Sequence, residues 1–158
     1  MVNDLVISLF RHGLTEANER KAYIGWTDEP LSTRGRRNLL RKDETLREMD
    51  LIISSPLQRC TMTAKLLFPG QSPLIIDELK EIHFGAWEGM TYEQLQHHES
   101  YRKWLTNIFT EPIEAGETYD TFSERINTGF KKINKIIIEE QRQHIAIVTH
   151  GGVIRHVL

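Results

Sequence analysis

Two histidines, two arginines and a glutamate stand where their side chains could handle a phosphate group: Arg11-His12-Gly13, Arg59, Glu81 and His150-Gly151-Gly152. Alone, each has an ordinary explanation. A lone histidine is usually a hydrogen-bonded or surface residue, and lone arginines and glutamates are usually solvated. Their placement argues otherwise, because each follows or closely trails a short apolar run. Those runs are Leu5 to Phe10 (LVISLF), Leu51 to Ser54 (LIIS), Leu74 to Ile76 (LII) and Ile145 to Thr149 (IAIVT). In an open parallel sheet, residues just past the strand ends gather at the carboxyl edge, where such folds bind ligands. Helix starts after His12, Ser55 and His150 would add backbone N–H groups and positive dipole ends. Such a pocket suits a dianion, and a phosphate group is the natural candidate.

The elements that must hold these groups alternate along the chain. Continuous apolar, β-branched runs fit buried parallel strands covered on both faces. Between them Ser32 can cap a helix running through Leu39, Leu40 and Leu46, and Ser55-Pro56 reads as the start of a helix over LQRCTMTAKLLF. From Thr118 to about Gln141 the residues Phe122, Ile126, Phe130, Ile133 and Ile137 recur every three or four positions, an amphipathic helix. Strand–helix alternation predicts an α/β fold, three layers α/β/α around a mainly parallel sheet, within a single domain over 1–158. Residues from about Gly85 to Gly116, holding Trp87, Trp104, Phe109 and two short helical stretches, break the pattern and read as an excursion over the active-site edge. The apolar run VIRHVL after His150-Gly151-Gly152 is too short for an isolated helix, so the C-terminal part of the fold is expected to be missing.

Composition narrows the function. The 158 residues carry 20 Lys plus Arg and 22 Asp plus Glu, a net charge of −2, which leaves no basic footprint for nucleic acid or an anionic membrane. One cysteine, Cys60, excludes an internal disulfide and a multi-thiolate zinc site. Neither a signal peptide nor an apolar run near the ~20 residues of a membrane span is present, so a soluble, cytoplasmic protein is expected. Cys60 has no glycine-rich cradle after it and reads as a structural thiol. His97-His98-Glu99 diverge around a helix and read as a solvated face, as does the basic run Arg34 to Lys42.

Arg11-His12-Gly13-Leu14-Thr15-Glu16-Ala17-Asn18 resembles the RHGxTxxN signature of the histidine phosphatase superfamily, in the branch containing phosphoglycerate mutase. SSPLQRCTMTA (54–64), LKEIHFGAWEG (79–89), VTHGGVIR (148–155), YIGWTDEPLSTRG (23–35) and EAGETYDTFSERI (114–126) agree, so the resemblance covers the chain from about Leu5. Within the superfamily the pattern is most similar to bacterial alpha-ribazole phosphatases and their broad-specificity relatives, and so to cobalamin biosynthesis. Relatives continue with a further helix and usually another strand. Leu14 stands where many carry Glu, and Ala17 where a large aromatic is frequent, both bordering the pocket.

The resemblance implies a phosphomonoesterase acting on a small-molecule phosphate monoester. His12 would attack phosphorus, Arg11, Arg59 and a protonated His150 would hold the phosphoryl oxygens, and Asn18 would add a neutral hydrogen bond. Glu81, its pKa raised beside Phe84 and Trp87, would act as general acid and then base. Tyr23, Gly25 and Gly151 would contact substrate. No cofactor and no metal is expected, since the cationic side chains supply the charge a metal ion would. Two alternatives stay open: a cofactor-dependent phosphoglycerate mutase, and a non-catalytic relative that binds proteins.

Overall fold

The computed structural model describes residues 4–40 and 48–158. Its elements, in chain order, are β1 (Val6–Arg11), α1 (Glu16–Glu19), α2 (Thr33–Leu40), β2 (Leu51–Ser54), α3 (Gln58–Leu67), β3 (Leu74–Ile75), α4 (Tyr92–Leu95), α5 (Glu99–Thr106), α6 (Tyr119–Glu140), β4 (His144–Thr149) and α7 (Gly151–Val157). Short 3-10 turns at Asp77–Leu79 and Gly85–Trp87 follow β3.

Each apolar run forms a strand, and the four pair in the order β1-β4-β2-β3, all neighbours parallel. The inner strands β2 and β4 are covered on both faces, which is why their runs are apolar throughout, whereas the edge strands expose Val6 and Ile7 of β1 and Leu74 and Ile75 of β3. On one face Ile53, Ile145 and Ile147 pack with Phe122, Ile126, Ile133 and Ile137 of α6. On the other, Ile52, Ala146 and Val148 pack with Cys60, Ala64 and Phe68, and α2 lies against α3. The three-layer α/β/α arrangement follows from that period-two split.

Because β4 is central and parallel to both β1 and β2, three strand ends finish side by side. Arg11 pairs with Thr149 and Ser54 with Val148, so His12, His150 and Ser55 emerge together. Thr149 Oγ1 donates to the Leu79 carbonyl at 2.8 Å, tying the segment before Glu81 to the same edge.

The predicted caps hold in part. Ser32 Oγ accepts from the Gly35 N–H at 3.0 Å, and α2 runs to Leu40; the stretch toward Leu46 lies outside the described residues. Arg34, Arg36 and Arg37 are exposed, as are His97, His98 and Glu99. The α3 reading needs correction. The helix begins at Gln58 with Leu57 as its N-cap, not at Ser55-Pro56, because Pro56 sits in the preceding turn and the Ser55 hydroxyl is held at His150. Residues 85–116 hold an aromatic cluster of Trp87, Leu95, Tyr101 and Ile113, with Tyr23, Phe84 and Trp104 packed against it. Among the described residues no helix is long and apolar enough to cross a membrane.

Candidate active site

His12 follows β1 directly, its N–H bonded to the Thr149 carbonyl at 3.0 Å. The ring is 9% exposed and its Nδ1 lies 2.7 Å from the Gly13 carbonyl oxygen. A carbonyl can only accept, so Nδ1 carries the proton and Nε2 keeps its lone pair. Burial, with the positive charges of Arg59 and Arg11, pushes the His12 pKa down to about 4 against the pull of the Gly13 bond. At neutral pH the ring is uncharged and of fixed tautomer, the state a nucleophilic imidazole would need.

His150 caps α7 next to it, the two ring centroids 5.2 Å apart. It is fully buried, 2.8 Å through Nε2 from the Ser55 hydroxyl and 3.5 Å from Cys60 Sγ. Burial first, then the charges of Arg59 and its neighbours, hold its pKa well below the usual value. The expectation of a protonated His150 is therefore corrected: its surroundings favour the neutral imidazole. Cys60 is buried, and burial pushes its thiol up to about 12, as suits a structural thiol.

Arg59, in the first turn of α3, is also fully buried. Its Nη1 donates to the Thr27 carbonyl at 2.9 Å and its Nη2 to the Gly25 carbonyl at 2.6 Å. Its Nε is buried with no partner among the described residues, and the carboxylates of Glu81, Glu88 and Asp28 offset its charge only from outside hydrogen-bond contact. A buried guanidinium that keeps an unpartnered donor is well suited to an anion that would complete it. Arg11, at the end of β1, is exposed and lies against the first turn of α7, where a Cβ on Gly151 would stand 3.4 Å from its Cζ.

Glu81 reaches the same turn of α7. Its Oε2 accepts from the Gly152 N–H at 2.9 Å and its Oε1 from the Ile82 N–H at 3.0 Å. Burial raises its pKa, and these two N–H groups with Arg59 only partly oppose that. The expected raised carboxyl is present, and of the two aromatic residues named beside it only Phe84 shares a cavity with Glu81. Trp87 is 1% exposed inside the separate aromatic cluster, whereas Phe84 and Glu81 line one cavity.

Two cavities meet at this edge. The first, about 470 Å³, is lined by Arg11, His12, Asn18, Lys21 and Tyr23 among others. Asn18 Oδ1 accepts from the Thr15 N–H at 3.1 Å in a capping box, so its place at the wall is fixed. The second, about 420 Å³, opens at Glu81 and Gly152 and is walled by Phe84, Trp104, Phe109 and Tyr119. Tyr23 lines both, with its hydroxyl 2.7 Å from that of Tyr101. Leu14 borders the first cavity as expected; Ala17 does not, being buried beside Ala22 and Ile24.

Two glycine readings also shift. Gly25 lines neither cavity; it is buried beneath the site and offers its carbonyl to Arg59. Gly151 lies against Arg11, but the glycine touching the candidate acid is Gly152, which sequence reading missed although it stands in the same doublet. Lys21 and Ser55 were missed as well. Lys21 has no motif to mark it, and Ser55 was read only as a helix start. Among the described residues no group of His, Cys, Asp and Glu is arranged to hold a metal ion.

The chain is similar to known proteins in sequence and in fold. The chain is 32% identical to an adenosylcobalamin/alpha-ribazole phosphatase of Salmonella typhimurium, over 92% of this chain and 74% of the relative. The crystal structure of an alpha-ribazole phosphatase from Shigella flexneri matches with TM-score 0.81 and 30% identity, covering 94% of this chain and 75% of that one. A phosphoglycerate mutase from Thermus thermophilus matches with TM-score 0.75 and 35% identity, covering 96% and 81%. The family profile described as histidine phosphatase superfamily (branch 1) spans residues 7–158. By its sequence and its fold, this chain belongs to the histidine phosphatase superfamily, branch 1.

Proposed function

We propose that this protein is a phosphomonoesterase working through a phosphohistidine on His12. The observation that carries the reading is the neutral His12 ring with Nδ1–H committed to Gly13, at a wall shared with Arg11 and Asn18. The Nε2 lone pair attacks phosphorus, and the bond from phosphorus to the ester oxygen breaks. Glu81, entering protonated, gives its proton to that oxygen and the alcohol leaves. The Glu81 carboxylate then takes a proton from water as the water oxygen attacks phosphorus. The P–N bond breaks, its electrons return to Nε2, and phosphate departs. Arg11, the idle Arg59 Nε–H, Asn18 and neutral His150 donate to the phosphoryl oxygens, most strongly as charge builds in flight. These donors make a metal ion unnecessary.

Alpha-ribazole 5′-phosphate is the leading substrate. The relatives bearing that name support it, and so does the aromatic cavity at Glu81, which suits a leaving group with a flat apolar ring better than a small sugar acid. That preference weighs against a mutase acting on phosphoglycerate.

The test is phosphate release from p-nitrophenyl phosphate, alpha-ribazole phosphate and 3-phosphoglycerate in EDTA, by the parent and His12→Ala. Turnover that survives EDTA and drops by about 10³-fold or more in the variant is expected. Unchanged turnover in the variant sinks the phosphohistidine. Bisphosphate-dependent isomerisation of 3-phosphoglycerate outrunning phosphate release hands the assignment to a mutase.

A further inference from the structure

The carboxylate of Glu88 faces none of the reacting groups directly, yet it collects backbone N–H groups from two loops. Its Oε1 accepts from Trp26 at 2.9 Å and from Phe84 at 3.1 Å, and its Oε2 from Gly25 at 3.0 Å and from Thr27 at 3.4 Å. Three of these donors are consecutive residues of one turn. A carboxylate wrapped in this way fixes a turn as a bound anion fixes a nest of amides.

That turn is the one that holds Arg59. The carbonyls of Gly25 and Thr27 take Nη2 and Nη1, while the N–H groups of the same residues are held by Glu88. Both sides of the turn are thus saturated, one by the carboxylate and the other by the guanidinium. With Nη1 and Nη2 anchored, the plane of the guanidinium is set, and its unpartnered Nε–H has one direction available. Gly25 has to be glycine for this: a Cβ there would lie 2.6 Å from Glu88 Oε1 and 2.1 Å from the Ile82 carbonyl oxygen. The fourth donor, Phe84, belongs to the segment that continues from Glu81, so the same carboxylate ties the strap of the candidate acid to the seat of the arginine.

Burial pushes the Glu88 carboxyl up, but its N–H partners outweigh that and hold it below the ordinary glutamate value. Glu88 is consequently ionised wherever the protein is folded near neutral pH.

We propose that Glu88 is a positioning residue, which sets the plane of the Arg59 guanidinium through the Gly25–Thr27 turn and so determines the grip on the phosphoryl group. The proposal rests on the phosphohistidine reading for the use made of Arg59, but not for the placement itself.

Glu88→Gln substitutes an amide that repels part of the N–H set. It is expected to lower kcat and weaken orthovanadate binding by about 10- to 100-fold, the usual consequence of shifting a catalytic donor by about an ångström. In an Arg59→Ala background the same substitution is expected to add almost nothing, because both act on one grip. Glu88→Asp keeps the charge with a shorter reach and is expected to fall between, which serves if the glutamine variant does not fold. In the ligand-free protein the Arg59 Nε–H resonance is expected to move in either variant. Wild-type turnover and vanadate affinity in a folded Glu88 variant, an undiminished loss in the Arg59→Ala background, or an unmoved Nε–H resonance would each overturn the proposal. Failure of the parent to turn over any phosphate ester would strike the phosphatase reading alone, since the resonance is read without substrate.

Discussion

Gly152 donates its backbone N–H to Glu81 Oε2 at 2.9 Å, and a Cβ on that glycine would stand 2.1 Å from the other carboxylate oxygen. The candidate acid is therefore seated on bare backbone at the first turn of α7, one residue beyond the glycine that flanks Arg11. Gly152→Ala must displace the carboxylate. Turnover of alkyl phosphates is expected to fall about 10²-fold, the scale of a lost general acid. With p-nitrophenyl phosphate, whose leaving group needs no proton, a burst of p-nitrophenol is expected to survive while steady-state turnover drops. A variant that retains parental rates on alkyl phosphates would remove Glu81 from the acid role.

Activity should depend on pH as a bell skewed toward acid. His12 is competent only when unprotonated, so kcat/KM rises as pH climbs through about 4. Glu81 is competent in its first task only when protonated, and its raised pKa places the falling limb above the ordinary carboxyl range. Glu81→Gln should abolish the falling limb along with most of the rate. A limb that persists in that variant belongs to another group.

Stability should change with pH in a separable window. His12 and His150 titrate near 6.5 when unfolded and lower when folded, so between those values the unfolded state binds more protons and stability rises with pH. Their contribution is full above about 6.5 and is lost as pH falls below it, for His12, whose share is about 3 kcal/mol, toward about 4. Glu81 runs the other way, its raised pKa favouring the fold as pH falls. In a Glu81→Gln background, melting temperature is expected to hold from pH 7.5 to about 6.5 and to drop from there to pH 5, less steeply once His12 is replaced by Asn. A flat profile across that range would mean the two rings are charged in the folded protein.

Choice of leaving group should reside in the second cavity. Phe109 lines it while remaining largely exposed, packed edge-on against Tyr119 with centroids 4.8 Å apart, so truncating it disturbs little of the core. Phe109→Ala is expected to lower the kcat/KM ratio for alpha-ribazole phosphate over glycerol phosphate about 10-fold, the worth of one aromatic contact. An unchanged ratio would move the leaving group out of this cavity.

The legible parts of this protein are those written in local pattern. Continuous apolar runs announced the strands, of which β2 and β4 are covered on both faces, the spacing from Phe122 to Ile137 announced α6, and Ser32 announced the start of α2. The chemical groups were legible because each trails a strand, and parallel pairing carries such positions to one edge whatever lies between them. Ser55 shows the limit. The same hydroxyl that fits a helix cap fits a buried imidazole, and only the neighbouring strand end decides between them.

By itself, then, the sequence determined which groups are present, which strands carry them and to which edge they come. The tertiary structure decided their protonation and their partners. His150 is neutral because it is buried beside Arg59, Gly25 serves Arg59 because Glu88 folds its turn, and Trp87 lies away from Glu81 because residues 85–116 build a cluster of their own. Burial and hydrogen-bond partners are set by chain segments that meet only on folding, and no local spacing encodes those encounters.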